Sequence, residues 1–334
     1  MDEVDRLLVS ALQIHPRIAW SRLESIISVE ATTLSRRWAR LVDAGLAWTS
    51  CRLTNSNEAR GPIPASVLAF VEIDCEAGRR EQVIDVLSRN RFVMSLDCTT
   101  GSRELFAGIV MENVGRIDEY LSSEISPVPG VRATRMHVVR RLYKDGTDWR
   151  MDALRPRQVH AVEAARGRVH DAPEQPGKLH MEIVRAMGGD VRRSCSDLAA
   201  EVGRSVSTVN RAMNQIVHAD WARLRVDIAH AHFGYGATAM ILYSVPQTQI
   251  DQMGAALRRL PEVRLCCALV GRANLGVLLW MRSIEDLHDI EVAASHSFPD
   301  ATAIDRWMVP RVAKRLGHLI GPDGRRVRYL AEQP

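Results

Sequence analysis

A chain of 334 residues is long enough for roughly two domains, or four small ones. Its hydrophobic content of 46% can fill several cores, and a formal charge of only +4 confines any nucleic-acid surface to local patches. No apolar run approaches the ~20 residues of a membrane span, and the acidic start MDEVDR is unlike a signal peptide. Cys51, Cys75, Cys98, Cys195, Cys266 and Cys267 form no CxxC pair and no metal spacing. They are expected as reduced thiols packed like small hydrophobes in a soluble, cytoplasmic protein.

In chain order, Asp2 to Ile14 is a predicted helix with Val4, Leu7, Leu8, Ala11 and Leu12 on one stripe, ended by Pro16. Trp20–Ser28 is a second, short helix. The third starts at Ala31 and closes at the C-cap Gly45. Leu34, Trp38, Leu41 and Val42 form its apolar face. Thr32, Thr33, Ser35, Arg36 and Arg40 form the opposite face, a set suited to base edges and phosphates. Leu46–Leu53 reads as a short β-wing, so residues 1–54 are expected to be a winged helix-turn-helix that lays its third helix in the major groove.

The run VDRLLVSALQIHPRIAWSRL…TTLSRRWARLVDAGL resembles the start of the Lrp/AsnC (leucine-responsive, feast/famine) regulators. Glu30 stands where that family usually has a Ser N-cap, and Glu is a poor N-cap. A polar linker, Asn55 to Pro64, follows. Residues 63–143 then change to strand periodicity: strand Val67–Asp74, helix Arg79–Asn90, strands Phe92–Thr99 and Arg103–Met111, helix Val114–Ile125, strand Val131–Leu142. This βαββαβ order is ferredoxin-like. In the resembled family it is the effector-binding and dimerising RAM domain, whose hallmark turn falls here on Thr100, Gly101, Ser102, Arg103 and Glu104. The resemblance implies an effector at Thr100, Gly101, Ser102 and Glu104, with an ordinary hairpin turn as the plain alternative. Arg103 and Arg272 read as solvated turn residues.

Residues 144–177 form a linker with a candidate helix at Pro156–Arg168 and a loop at Val169–Gly177. Residues 178–228 then repeat the helix trio as Leu179–Met187, Ser194–Val202 and Ser205–Val217. Val209, Met213, Ile216 and Val217 repeat the apolar face of the first third helix 175 positions on. Ser205, Ser207, Thr208, Asn210 and Arg211 are the expected DNA contacts, with Ser205 a good N-cap. Asp220 stands where Gly45 caps the first copy. Residues 178–226 hold eight Lys/Arg against five Asp/Glu, whereas residues 1–60 hold eight against seven, so the second head is expected to be the stronger reader. Residues 235–316 repeat βαββαβ: strand Ala237–Val245, helix Gln247–Leu260, strands Val263–Val270 and Asn274–Met281, helix Ile284–Ala294, strand Ala301–Ala313. Gly271, Arg272 and Asn274 occupy the second effector turn. Residues 317–334 are a basic tail.

The expected fold is therefore α+β: two winged helix-turn-helix domains and two ferredoxin-like βαββαβ domains, with the two sheets packed face to face as an intrachain pseudo-dimer. Leu105, Ala107 and Ile109 cover the helices while Phe106 and Val110 pack across, or the reverse. The expected function is a one-component regulator that binds double-stranded DNA and a small effector, an amino acid or related metabolite, and forms homo-oligomers of pseudo-dimeric chains. No cofactor, metal or catalytic residue is implied. Two alternatives stand: a siroheme decarboxylase-like tetrapyrrole enzyme on the same architecture, against which His137, Arg140 and Arg141 read plainly as a strand end running into a basic exit, and a ligand-binding protein with degenerate heads.

Overall fold

A computed structural model describes residues 1–53, 66–167 and 173–330. The expected linker Asn55–Pro64, part of the loop Val169–Gly177, residue Arg168 and the end of the tail lie outside these residues.

The first part of the chain folds as α1 (Glu3–Ile14), α2 (Trp20–Ile27), α3 (Ala31–Asp43) and β1 (Ala47–Leu53). Next come β2 (Val67–Cys75), α4 (Arg80–Arg89), β3 (Val93–Cys98), β4 (Leu105–Met111), α5 (Val114–Tyr120) and β5 (Val131–Lys144). Helix α5 runs into a π-helical turn at Leu121–Ile125. After α6 (Pro156–Ala164) the pattern repeats as α7 (Lys178–Met187), α8 (Cys195–Val202), α9 (Val206–His218) and β6 (Ala222–Ile228). Then follow β7 (Ala237–Ser244), α10 (Ile250–Leu257), β8 (Val263–Val270), β9 (Leu275–Met281), α11 (Glu285–Ser297) and β10 (Thr302–Met308). The chain finishes with β11 (Arg311–Arg315), β12 (His318–Ile320) and β13 (Arg326–Tyr329).

Like parts associate with like. Of the described residues, one compact unit holds 1–53, 150–167 and 173–229, thus both helix trios; the other holds 66–149 and 230–330, thus both βαββαβ repeats. In the helical unit the expected β-wing is corrected. Among the described residues neither trio has a wing hairpin of its own; β1 and β6 pair antiparallel with each other. Ser50 lies opposite Arg225, its counterpart 175 positions on, so a pseudo-twofold axis passes between them.

In the sheet unit, the two sheets expected to pack face to face are joined to each other by hydrogen-bonded strands. The strands form one hydrogen-bonded surface in the order β10-β7-β9-β8-β5-β2-β4-β3-β11-β12-β13. Strand β5 is 14 residues long; its first part pairs with β2 and its second with β8 of the other repeat. The second repeat does the same with β10 on β7 and β11 on β3, interrupted at Val309–Pro310, where proline cannot donate to a ladder. The single strand expected over Ala301–Ala313 is therefore two. Lys144 and Lys314, 170 positions apart, act alike: each buried ammonium donates to a helix-end carbonyl of the other repeat, Leu260 at 3.1 Å and Asn90 at 2.6 Å.

Each repeat keeps its own core under its helices. Leu105, Ala107 and Ile109 pack there with Val83 and Ile117, and Leu275, Val277 and Leu279 pack with Met253. Phe106 points the other way, stacking on Phe70 and meeting Trp307 of β10 edge-on, each at 5.2 Å between ring centroids. The first of the two orientations open from sequence is the one adopted. The stretch read as a linker is built in: Trp149 is buried and donates to the Pro261 carbonyl at 2.8 Å, and Met151 donates from its backbone to Gln13 at 2.8 Å.

Candidate nucleic-acid interface and effector turns

Helix α3 buries Leu34, Trp38 and Leu41 and leaves Thr32, Arg36 and Arg40 exposed, with Thr33 and Ser35 half-buried. Its end is a Schellman turn: Gly45, at φ +66°, donates to the Val42 carbonyl and Leu46 to Leu41. Glu30 gives no side-chain cap. Instead the Glu24 carboxylate of α2 accepts the Ala31 N–H at 3.2 Å, satisfying one of the donors that a Ser cap would serve.

Arg40 is tied internally. It donates to the buried Asp5 carboxylate of α1 at 2.7 and 2.8 Å, and Arg37 reaches Asp5 at 2.9 Å and Asp2 at 2.7 Å. These two arginines fasten α3 to α1. Sequence reasoning gave Arg37 no role; the acidic first turn Asp2–Asp5, assigned to the helix dipole, was the available signal.

Helix α9 buries Val209, Ala212, Met213 and Ile216. Ser205 caps it, accepting the Thr208 N–H at 3.2 Å and sharing hydrogen bonds with the Ser207 and Thr208 hydroxyls. Ser207, Thr208, Asn210 and Arg211 form an exposed stripe. Where Asp220 replaces the capping glycine, α9 leaves through extended Ala219. Among the described residues Arg36, Arg204 and Arg211 carry no acidic partner, which leaves their charge available to a phosphate.

The two turns at 100–104 and 270–274 share one backbone design. Glu104 and Asn274 donate their N–H groups to Ile73 and Tyr243, and their carbonyls accept from Thr99 and Leu269. Their side chains also do equivalent work. The Glu104 carboxylate accepts the Cys75 N–H at 2.6 Å; Asn274 accepts from Val245 N at 2.8 Å and donates to its carbonyl at 2.7 Å. Both hold the end of their repeat's first strand. Gly101 and Gly271, at φ +92° and +143°, are exposed with Ser102 and Arg272. Thr100 is bound to β10, donating its N–H to the Met308 carbonyl and accepting the Met308 N–H on its hydroxyl, both at 3.0 Å.

Arg103 is not a solvated turn residue. It is 4% exposed, contacts Glu72 at 2.9 Å and Asp305 of the other repeat, and lies 4.1 Å over the Trp307 ring. Arg272 is exposed, as expected. His137 and Arg135 of β5 join the same cluster, bonding Glu72 at 2.8 Å and Asp74 at 2.9 Å. Burial by itself would raise the Glu72 carboxyl; the hydrogen bond from His137 and the Arg103 guanidinium outweigh it and hold it below its ordinary range. Its repeat counterparts are apolar, Leu242 for Glu72 and Ala273 for Arg103, so this ionic cluster occurs on one side of the pseudo-dyad alone.

Residues 68–149 match the family model described as the Lrp/AsnC ligand-binding domain. An HTH-type transcriptional regulator of Pyrococcus horikoshii is 24% identical over 146 residues, 44% of this chain and 90% of its own. The HTH-type transcriptional regulator FL11 of Pyrococcus abyssi is 26% identical over 148 residues, 44% of this chain and 95% of its own. Either relative thus corresponds to about half of this chain. Over the full length the structure resembles the siroheme decarboxylase NirDL, with a TM-score of 0.57 at 13% identity, covering 94% of this chain and 93% of that one; this likeness establishes fold alone. Residues 68–149 thus carry an Lrp/AsnC ligand-binding domain, and helix trio and βαββαβ repeat each occur twice along this one polypeptide.

Proposed function

We propose that this protein is a cytoplasmic, sequence-specific transcription regulator whose two helix trios are DNA-reading heads. Its two βαββαβ repeats, residues 63–143 and 235–316, act as an internally dimerised effector-binding pair. The observation that carries the reading is the exposed stripe Ser207, Thr208, Asn210 and Arg211 on a well-capped α9, matched by Thr32 and Arg36 on α3. An inward-facing ion pair would disqualify such a stripe, and Arg36 and Arg211 have none among the described residues. Arg40 contributes to the stability of the first head first and to phosphate contact second, because Asp5 holds it.

The pseudo-dyad through the β1–β6 ladder supports an inverted pair of reading helices and thus an operator that is an inverted repeat of two unlike half-sites. Half-sites about one helical turn apart, roughly 34–36 Å, or a multiple, are expected. The effector is an amino acid or related metabolite at the exposed turn residues Gly101, Ser102, Gly271 and Arg272. Thr100, Glu104 and Asn274 frame that site through the backbone they hold. Effector binding changes the output only through different affinities for two arrangements of the chain or of its oligomer.

The test is binding to a fluorescent duplex of the gene's own upstream region, titrated at several salt concentrations. Tight, sequence-selective binding with a steep salt slope is expected. Weak binding, equal on unrelated DNA, contradicts the proposal. The full-length likeness to a siroheme decarboxylase gives the competing tetrapyrrole reading. Phe70, Phe106, Trp307 and the Arg103–Glu72 pair occupy the space beside the only His137-centred basic cluster we identify among the described residues, which favours a regulator. A new absorbance band on adding siroheme would favour the enzyme.

A further inference from the structure

Arg17 lies in the loop between α1 and α2, and Arg192 is its counterpart 175 positions on, between α7 and α8. Each guanidinium reaches into the other head. Arg17 donates to the carbonyls of Val191 and, at 3.0 Å, of Arg193, the two residues flanking Arg192. Arg192 donates to the carbonyls of Pro16 at 2.6 Å and Ile18 at 3.1 Å, the two residues flanking Arg17. The reciprocity extends one shell further. Arg192 lies 3.7 Å over the ring of Trp20, the first residue of α2, and Arg17 approaches the thiol of Cys195, the first residue of α8, at 3.8 Å. Four loop carbonyls that have no helix partner are satisfied by two planar forks, a geometry lysine cannot reproduce.

Bringing two like charges together in a half-buried seam is costly, so the arrangement needs a return. Burial and the neighbouring charge of Arg17 press Arg192 down to about 10, which still leaves it cationic at neutral pH. The return is in where the contacts fall. The β1–β6 ladder attaches each head after its reading helix. The arginines attach it before that helix, on the loop entering the helix-turn-helix; in the second head the Thr49 hydroxyl of β1 also donates to the Gly189 carbonyl and accepts the Val191 N–H there. The ladder and its neighbouring contacts hold one side of each head; the arginines hold the loop before the reading helix as well, which opposes a pivot about the ladder.

We infer that Arg17 and Arg192 form a reciprocal clasp that fixes the two reading helices relative to each other and thereby makes the spacing between half-sites part of the protein's DNA specificity. This rests on the DNA-reading proposal above. In it the two arginines are positioning residues and touch no base. A protein with locked heads must deform the DNA or give up one half-site when the spacer changes by two base pairs, because each added pair turns the second site by about 34° and moves it by about 3.4 Å.

The experiment is selection of binding sequences from a randomised duplex library by the full chain, followed by affinity measurements with the spacer lengthened or shortened by two base pairs. The full chain is expected to select one spacer and to lose at least about tenfold on either change. Arg17→Met with Arg192→Met is expected to select the same half-sites at several spacers, losing less than about threefold. The pair Arg17→Lys with Arg192→Lys keeps both charges and lacks the forks; it is expected to relax spacing likewise, and it serves if the methionine variant does not fold. A variant that keeps the strict spacer overturns the clasp while leaving DNA reading intact. A wild-type chain that selects no sequence overturns both.

Discussion

His15 caps the C-terminal end of α1 and is 8% exposed, with Arg17, Arg166, Arg192 and His218 around it. Burial first, then those positive charges, push its imidazole down to about 4 from an ordinary 6.5. The folded value lies below the unfolded one, so between them the unfolded chain binds more protons and stability rises with pH. The contribution of the neutral imidazole is intact above about 6.5 and is lost as pH falls toward about 4. The full gap corresponds to about 3 kcal/mol, of which about 2 kcal/mol is gone at pH 5. For a unit of this size that is a midpoint shift of about 4–8 °C. Asp97 in the sheet unit works against this: burial raises it to about 6 from 3.8, so its contribution is lost as pH rises through that value. The assay is therefore thermal or urea unfolding of wild type and His15→Gln, each at pH 7.5 and pH 5. Wild type should lose about 2 kcal/mol more than the variant on acidification. Parallel losses would refute the assignment of a neutral, buried His15.

Three further outcomes follow from the same structure. Lys314→Met and Lys144→Met should each cost about 2 kcal/mol in denaturant unfolding, since each removes a charged donor from a buried carbonyl; a cost at one site alone would deny the twofold equivalence of the two seams. Ser205→Ala should cost about 1 kcal/mol, whereas Glu30→Ala should cost almost nothing because Glu30 makes no cap and Glu24 serves Ala31 instead. Equal costs would contradict that division of labour. Gly254→Ala should destabilise by about 1–3 kcal/mol, because a Cβ there would stand 2.5 Å from the Tyr143 ring; an unchanged melting midpoint would mean that β5 and α10 separate freely.

The doubling was legible because two kinds of pattern repeat in register: Leu34, Trp38, Leu41 and Val42 against Val209, Met213, Ile216 and Val217, and the glycine turns at Gly101 and Gly271. Helix and strand identities followed from period alone. Partnership did not. A lone strand such as β1 carries no mark of its mate, so Ala47–Leu53 read as a wing when its ladder is β6. Nor does an arginine in a turn announce its burial. The counter-charges of Arg103 come from Glu72 and from Asp305, the latter 202 positions away, and they meet only when β10 of the second repeat crosses the first. Arg17 and Arg192 were hidden in the same way: each looks like an ordinary loop residue until the repeat offset is applied to the loops as well as to the helices. Pro310 was a signal left unread: a proline inside the expected strand Ala301–Ala313 argues for a break there.

The account stands most directly on whether two different heads of one chain read two half-sites. Hydroxyl-radical footprinting of a selected duplex with wild type, Arg36→Ala and Arg211→Ala measures this in one gel. Two protected half-sites are predicted for wild type, with Arg36→Ala releasing one and Arg211→Ala the other, each with its salt slope reduced by about one. A single protected site lost in both variants, or protection that neither variant changes, would contradict it.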